Sequence, residues 1–187
     1  HSYESPQGEQ TYSGQFVHKS PYALTVSHAA ANALSSTAQG PGLHAATVGI
    51  PTSFMVTVRD AWDNVLRTTN YAPVVTVTID RSPHAYVNVW NFKNGSYSVE
   101  YIANVSGTNL ISVYVNGYQI IGSPFEVYFD DGRTSEKYSY AVGPGLLIGT
   151  AGEISYFQVY AFDIDNNRKT HADDIFSMVT TNMLIGN

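Results

Sequence analysis

An all-β fold, a seven-stranded antiparallel sandwich set in tandem and flanked by partial repeats, is predicted by three observations. Short segments alternate apolar and polar residues with a period of 2. Turn-forming residues separate those segments. The chain also repeats itself at an offset of 103 residues: Gly40-Pro41-Gly42-Leu43 returns as Gly143-Pro144-Gly145-Leu146, and Ser20-Pro21-Tyr22 returns as Ser123-Pro124-Phe125. The same offset carries Val48-Gly49 to Ala151-Gly152, Phe54 to Phe157, Val56 to Val159, Asp60 to Asp163 and Asp63-Asn64 to Asn166-Asn167. A period this long marks whole domains, because solenoid repeats run to about 20–50 residues.

The elements follow in order. A first strand is expected over residues 43–48. Residues 53–58 come next, with Phe54, Val56 and Val58 on one face. Residues 75–79 alternate Val or Ile with Thr, residues 85–89 alternate again, and 97–101 place Tyr97, Val99 and Tyr101 together. Residues 111–115 and 125–129 complete seven strands. Each has the pattern of a half-buried strand. Asp63-Asn64, Ser82-Pro83, Asn94-Gly95 and Asn116-Gly117 stand between them, and Asn-Gly supplies the positive φ of a tight hairpin turn. Seven strands in about 90 residues is the size of an immunoglobulin-like sandwich. The domain reading is a preceding unit's C-terminal strands at 1–28, a linker at 29–39, a complete unit at 40–130, a linker at 131–142, and the N-terminal half of a following unit at 143–187. Neither partial unit closes a core alone, so the natural polypeptide is expected to be longer at both ends. The first linker is Ala/Ser-rich and the second charged; each is long enough to flex, to pack as a strand on a neighbour or, in the Ala-rich case, to form one helical turn.

Composition narrows function. Only 13% of the 187 residues are charged, against roughly 25% in an average soluble domain. Ser, Thr, Asn and the 14 Tyr take their place. A net charge of −6 argues against nucleic-acid binding, which needs a basic stripe. No apolar run approaches the length of a membrane span, so no membrane insertion is expected in this segment. With no Cys there is no disulfide, thiol nucleophile or thiolate metal site. His1, His18, His28, His44, His84 and His171 form no metal-helix pair, and no nucleophile elbow occurs. An enzyme is not expected, and no cofactor or metal is implied. The turn carboxylates Asp60 with Asp63, Asp130 with Asp131, Asp163 with Asp165 and Asp173 with Asp174 are read as turn formers ahead of calcium ligands.

Three motifs carry a family resemblance. The start, Gly40-Pro41-Gly42-Leu43 followed by Val48-Gly49-Ile50-Pro51-Thr52-Ser53-Phe54, the middle, Asn94-Gly95-Ser96-Tyr97-Ser98-Val99-Glu100-Tyr101, and the end, Asn116-Gly117-Tyr118-Gln119-Ile120-Ile121-Gly122-Ser123-Pro124-Phe125, occur in order and at family spacing. Residues 40–130 thereby resemble a filamin-type (ABP280) immunoglobulin-like repeat. The chain departs from that family in its low charge and in Asp60-Ala61-Trp62-Asp63-Asn64, where a Gly is common. The resemblance implies a partner site: an extended segment pairing with the third strand beside the fourth, with Thr76, Thr78, Tyr86 and Asn88 lining the groove. Asn94 and Asn104 head N-glycosylation sequons, so N-glycans are possible.

The function expected is a non-enzymatic filament or scaffold, acting through domain–domain and edge-strand contacts with protein partners or with itself. Sparse charge favours a self-assembling or extracellular fibre, and the resemblance admits a cell-surface or flagellar one. The alternatives are a cytoplasmic cytoskeletal adaptor, actin-crosslinking or ciliary, and a cell-surface adhesion ectodomain.

Overall fold

The computed structural model describes residues 2–4, 10–12, 22–67, 72–171 and 174–179. Two short strands, β1 (Ser2–Glu4) and β2 (Gln10–Tyr12), pair antiparallel. Ser20 and Pro21, two of the three residues of the first closure motif, lie outside the described residues. The central repeat is a sandwich. One sheet has the order β3 (Ala31–Gln39), β5 (Thr52–Asp60), β8 (Ser96–Ile102), β7 (Tyr86–Asn91), all antiparallel. The other is centred on β9 (Gly107–Val115). Along one edge of β9 run β10 (Tyr118–Gln119) and β11 (Phe125–Asp130); β6 (Val75–Ile79) pairs the opposite edge. β4 (Ala45–Thr47) joins β11 in parallel.

Alternation becomes a core directly. Phe54, Val56 and Val58 from β5, Val99 and Tyr101 from β8, Ile111, Val113 and Val115 from β9, and Val127 and Phe129 from β11 are buried between the sheets. Tyr101 stands at the centre, with ring centroids 6.3 Å from Phe54 and 5.8 Å from Phe129. Its hydroxyl donates to the carbonyl of Gly42 at 2.5 Å. Burial raises the Tyr101 phenol well above its ordinary pKa, so it remains a donor.

Two expectations are corrected. Residues 29–39 are not a free linker: β3 is a nine-residue edge strand paired to β5. A register shift between Asn32 and Thr37 carries a bulge whose polar groups are satisfied locally. Ser36 Oγ donates to the Asn32 carbonyl (2.7 Å) and accepts from Arg59 N–H (3.1 Å), while Leu34 N–H donates to Asn32 Oδ1 (2.8 Å). Residues 43–48 do not form one strand either. A 3₁₀ turn over Pro41–Leu43 moves the chain from the first sheet to the second, and only β4 follows.

The 103-residue repeat is reproduced in backbone geometry. The 3₁₀ turn recurs at Pro144–Leu146, and Gly40 and Gly143 share φ near 140° (142° and 140°). β12 (Tyr140–Val142) pairs β13 (Gln158–Tyr160) in the register that Thr37–Gln39 keep with Met55–Thr57, so residues 131–142 also hold more than a linker. Among the described residues of the following unit, Leu146, Leu147, Ile148 and Ile154 are exposed, whereas Leu43 of the central repeat is buried.

The turn after β5, and its counterpart 103 residues on, are each built on a buried aspartate, Asp60 and Asp163. Asp60 accepts from Ala29 N–H (2.8 Å), Trp62 N–H (2.9 Å), Asn64 N–H (2.9 Å) and the Asn64 side chain (3.1 Å). Burial alone would raise its pKa; the hydrogen bonds outweigh burial and lower it to about 2. A carboxyl lowered in the folded state contributes stability above its unfolded pKa and loses it as pH falls. Wild-type stability is therefore expected to fall between about pH 4 and pH 2, where the unfolded chain binds more protons. Denaturant midpoints measured across that window should show a shallower pH slope in Asp60→Asn than in wild type. An unchanged slope would remove Asp60 from the explanation.

Candidate functional site

The third strand, β6, presents an open edge. Asn116 N–H donates to the Val74 carbonyl (2.8 Å) and Asp80 N–H to the Leu110 carbonyl (3.1 Å), so the even-numbered backbone groups of this segment face β9. By the antiparallel pattern, the N–H and C=O groups of Val75, Val77 and Ile79 point away from the sheet. Among the described residues none of these groups has a strand partner. Side chains staple both ends of the strand: Val74 N–H donates to Asn116 Oδ1 (2.9 Å) and Leu110 N–H to Asp80 Oδ1 (2.7 Å). Five residues of Val, Thr and Ile without a charge or proline do nothing to discourage a further strand.

Beside this edge lies β7, the edge of the opposite sheet. Its odd residues, Val87 and Val89, are half-buried against the core, as is Val77 of β6. They form the apolar floor between the two edges. One end is closed by Tyr97, whose ring is buried and whose hydroxyl reaches the rim. That hydroxyl donates to the Pro73 carbonyl (2.9 Å) and accepts from Asn91 Nδ2 (3.2 Å), tying the start of β6 to the end of β7. Burial raises the Tyr97 pKa. A hollow of about 320 Å³ lined in part by Pro73, Asn91 and Tyr97 opens at this end.

The four residues expected to line the groove all stand on the outer faces of their sheets. Thr76 and Thr78 are exposed on the outer face of the second sheet, opposite Tyr114 and Ser112. Tyr86 and Asn88 are exposed on the outer face of the first sheet with Trp90, turned away from Val87 and Val89. The residues the sequence reading missed are Val77, Val87 and Val89. The signal that could have found them was alternation itself: a partner lying between the two edges meets the inward set. The sequons also differ. Asn94 is exposed in the β7–β8 turn, its Oδ1 accepting from Ser96 N–H (3.0 Å). Asn104 is half-buried, with Oδ1 wholly enclosed.

Among the described residues no group of three or more His, Cys, Asp or Glu is placed to hold a metal. The carboxylates of Asp60 and Asp163 are spent on backbone N–H groups. No helix among the described residues is long and apolar enough to cross a membrane.

Comparison with known proteins decides the family. The Filamin/ABP280 repeat matches residues 30–126, just over half of the chain. The chain belongs to the Filamin/ABP280 repeat family. The matched span starts at the threshold of β3, in agreement with that strand being part of the filamin repeat. Tripartite motif-containing protein 3 of Rattus norvegicus is 36% identical over 105 residues, 56% of this chain and 14% of that protein. Filamin-C of the same organism is 29% identical over 119 residues, 63% of this chain and 4% of that protein. The chain thus spans only a small part of these relatives. Among solved structures, the Escherichia coli adhesin FdeC superposes with a TM-score of 0.59 at 16% identity, covering 79% of this chain and 46% of that one. That likeness is one of fold. The filamin repeat is a structural, non-enzymatic domain family, and the fold here is its immunoglobulin-like sandwich.

Proposed function

We propose that this chain is a segment of a tandem filamin-type array serving as a filament or scaffold, and that its central repeat takes up extended segments at the β6 edge. One observation carries the reading: among the described residues, the outward backbone groups of Val75, Val77 and Ile79 have no strand partner, and they stand above an apolar floor of Val77, Val87 and Val89. Main-chain bonds to that edge supply affinity, and alternate side chains of the incoming strand meet the floor and supply specificity. The occupant is another protein's strand or one from a second copy of the array. No catalytic role is assigned.

Sparse charge supports a fibre at the cell surface, where packed chains repel little and the Tyr-rich surface suits contact. A cytoplasmic adaptor role is the second reading, favoured by the identity to tripartite motif-containing protein 3 and filamin-C. An N-glycan on the exposed Asn94, detected by mass spectrometry of protein from its native source, would select the first reading; bare Asn94 would favour the second.

Paired substitutions Thr76→Lys and Thr78→Lys place charge along the edge without touching the core. Binding of synthetic eight-residue peptides alternating Val and Thr, measured by fluorescence anisotropy, should weaken at least about tenfold, since charge on an edge opposes pairing. Stability should stay within about 0.5 kcal/mol of wild type, as for other surface changes. In wild type, peptide binding should slow hydrogen exchange at Val75, Val77 and Ile79. Peptides that bind while leaving those amides unprotected would overturn the site.

A further inference from the structure

The following repeat is bonded by three contacts to the central repeat and to the charged segment after β11, which was expected from sequence to flex or to pack on a neighbour. Asn167, in the turn after β13, donates from Nδ2 to the carbonyl of Asn104 (3.1 Å) and accepts at Oδ1 from Ser106 N–H (3.2 Å). Those two residues belong to the loop between β8 and β9 of the central repeat. Asn167 is itself held by Asp163, which accepts its backbone N–H (2.8 Å) and its side chain (2.9 Å).

The second contact is steric. Gly132 N–H donates to Asp163 Oδ2 (2.9 Å), and a Cβ at Gly132 would stand 3.0 Å from the Val48 carbonyl and 3.3 Å from Asp163 Oδ2. The chain is thus wedged between the central repeat and the following one. The third contact is an ion pair. Lys169 Nζ lies 2.9 Å from Asp131 Oδ2 and donates to the Gly132 carbonyl (3.0 Å); the Asp131 side chain is 1% exposed and that of Lys169 9%. Thr170 Oγ1 donates to Asp131 Oδ1 (2.6 Å).

We propose that the β8–β9 loop and the segment just after β11 form a docking surface for the turn after β13, residues 163–170, so that these consecutive repeats are locked in a fixed orientation. The partner is the neighbouring repeat of the same chain. The proposal rests on the array reading and is independent of the β6 edge. Part of the device recurs: Asp60 holds Ala29 N–H as Asp163 holds Gly132 N–H, and 29 and 132 differ by 103. The ion pair does not recur, because Leu66 and His28 stand at the positions offset from Lys169 and Asp131. Each junction therefore carries its own chemistry on a shared frame. Asn104 lies inside the junction, so a glycan there and the docked repeat compete for the same space.

The test uses the full 187-residue chain and residue-resolved hydrogen exchange. Ser106 N–H should exchange at least about tenfold faster in Asn167→Ala than in wild type, while Gly49 N–H, bonded to the Ala103 carbonyl (3.0 Å) within the central repeat, should not change. A second readout exploits the absence of Cys. Asn104→Cys should react with a thiol reagent at least about tenfold more slowly than Asn94→Cys, and adding Asn167→Ala should bring the rates together. Equal labelling of the two single-Cys chains, or a Ser106 amide indifferent to Asn167→Ala, overturns the lock. Neither outcome bears on protection at Val75, Val77 and Ile79, so the two proposals fail separately.

Discussion

Tyr101→Ala is expected to lower stability by about 3–5 kcal/mol, the cost of deleting a large aromatic ring from a packed core. That is a substantial share of the roughly 5–15 kcal/mol a domain has. Tyr101 is fully buried, touches rings from β5 and β11, and bridges the two sheets. Its removal opens a cavity where the sheets meet, and their strand pairing leaves little room for collapse. Tyr101→Phe separates the ring from the hydroxyl. It keeps the packing but strands the Gly42 carbonyl, which accepts the phenol at 2.5 Å, and should cost about 1–3 kcal/mol. Urea denaturation checks both: the midpoint should drop in the order Phe then Ala with unchanged slope. Equal losses would show that the hydroxyl, not the ring, is what the core needs.

Gly42→Val should be nearly as damaging, at about 3 kcal/mol or slightly more, from overpacking that no rotamer relieves. A Cβ at Gly42 would lie 2.8 Å from the Ser53 carbonyl oxygen and 3.0 Å from its carbon. Both are backbone atoms of the neighbouring strand, so the 3₁₀ turn must move, and the Tyr101 hydrogen bond moves with it. Gly49→Ala provides the contrast. No atom lies within 4 Å of a Cβ there, but φ is +76°, so only the left-handed penalty of about 1 kcal/mol applies. Thermal unfolding of the two variants should differ clearly. Similar losses would mean that backbone conformation, not crowding, explains why Gly stands at position 42.

Much of the fold was legible in the sequence. β5, β6, β8, β9 and β11 stand close to where alternation placed them, because each faces water on one side and core on the other. β3 was not legible, for a local reason. Its buried residues, Ala33 and Ser36, are three apart, since the bulge breaks the period of 2, and small side chains leave no hydrophobic pattern. Of the candidate site, the strands were legible but the lining was not: Thr76, Thr78, Tyr86 and Asn88 all point to the outer side of their sheets.

The sequence by itself determined the strand-rich class, the 103-residue period and the turns, because these follow from residue order and local conformational preference. The tertiary structure alone decided which edge is left open and which turn meets which loop. A Val77 N–H turned away from β9, or an Asn167 side chain reaching Asn104, depends on what lies across space from it. Pairing partners more than 60 positions apart leave no trace in the local pattern of either segment.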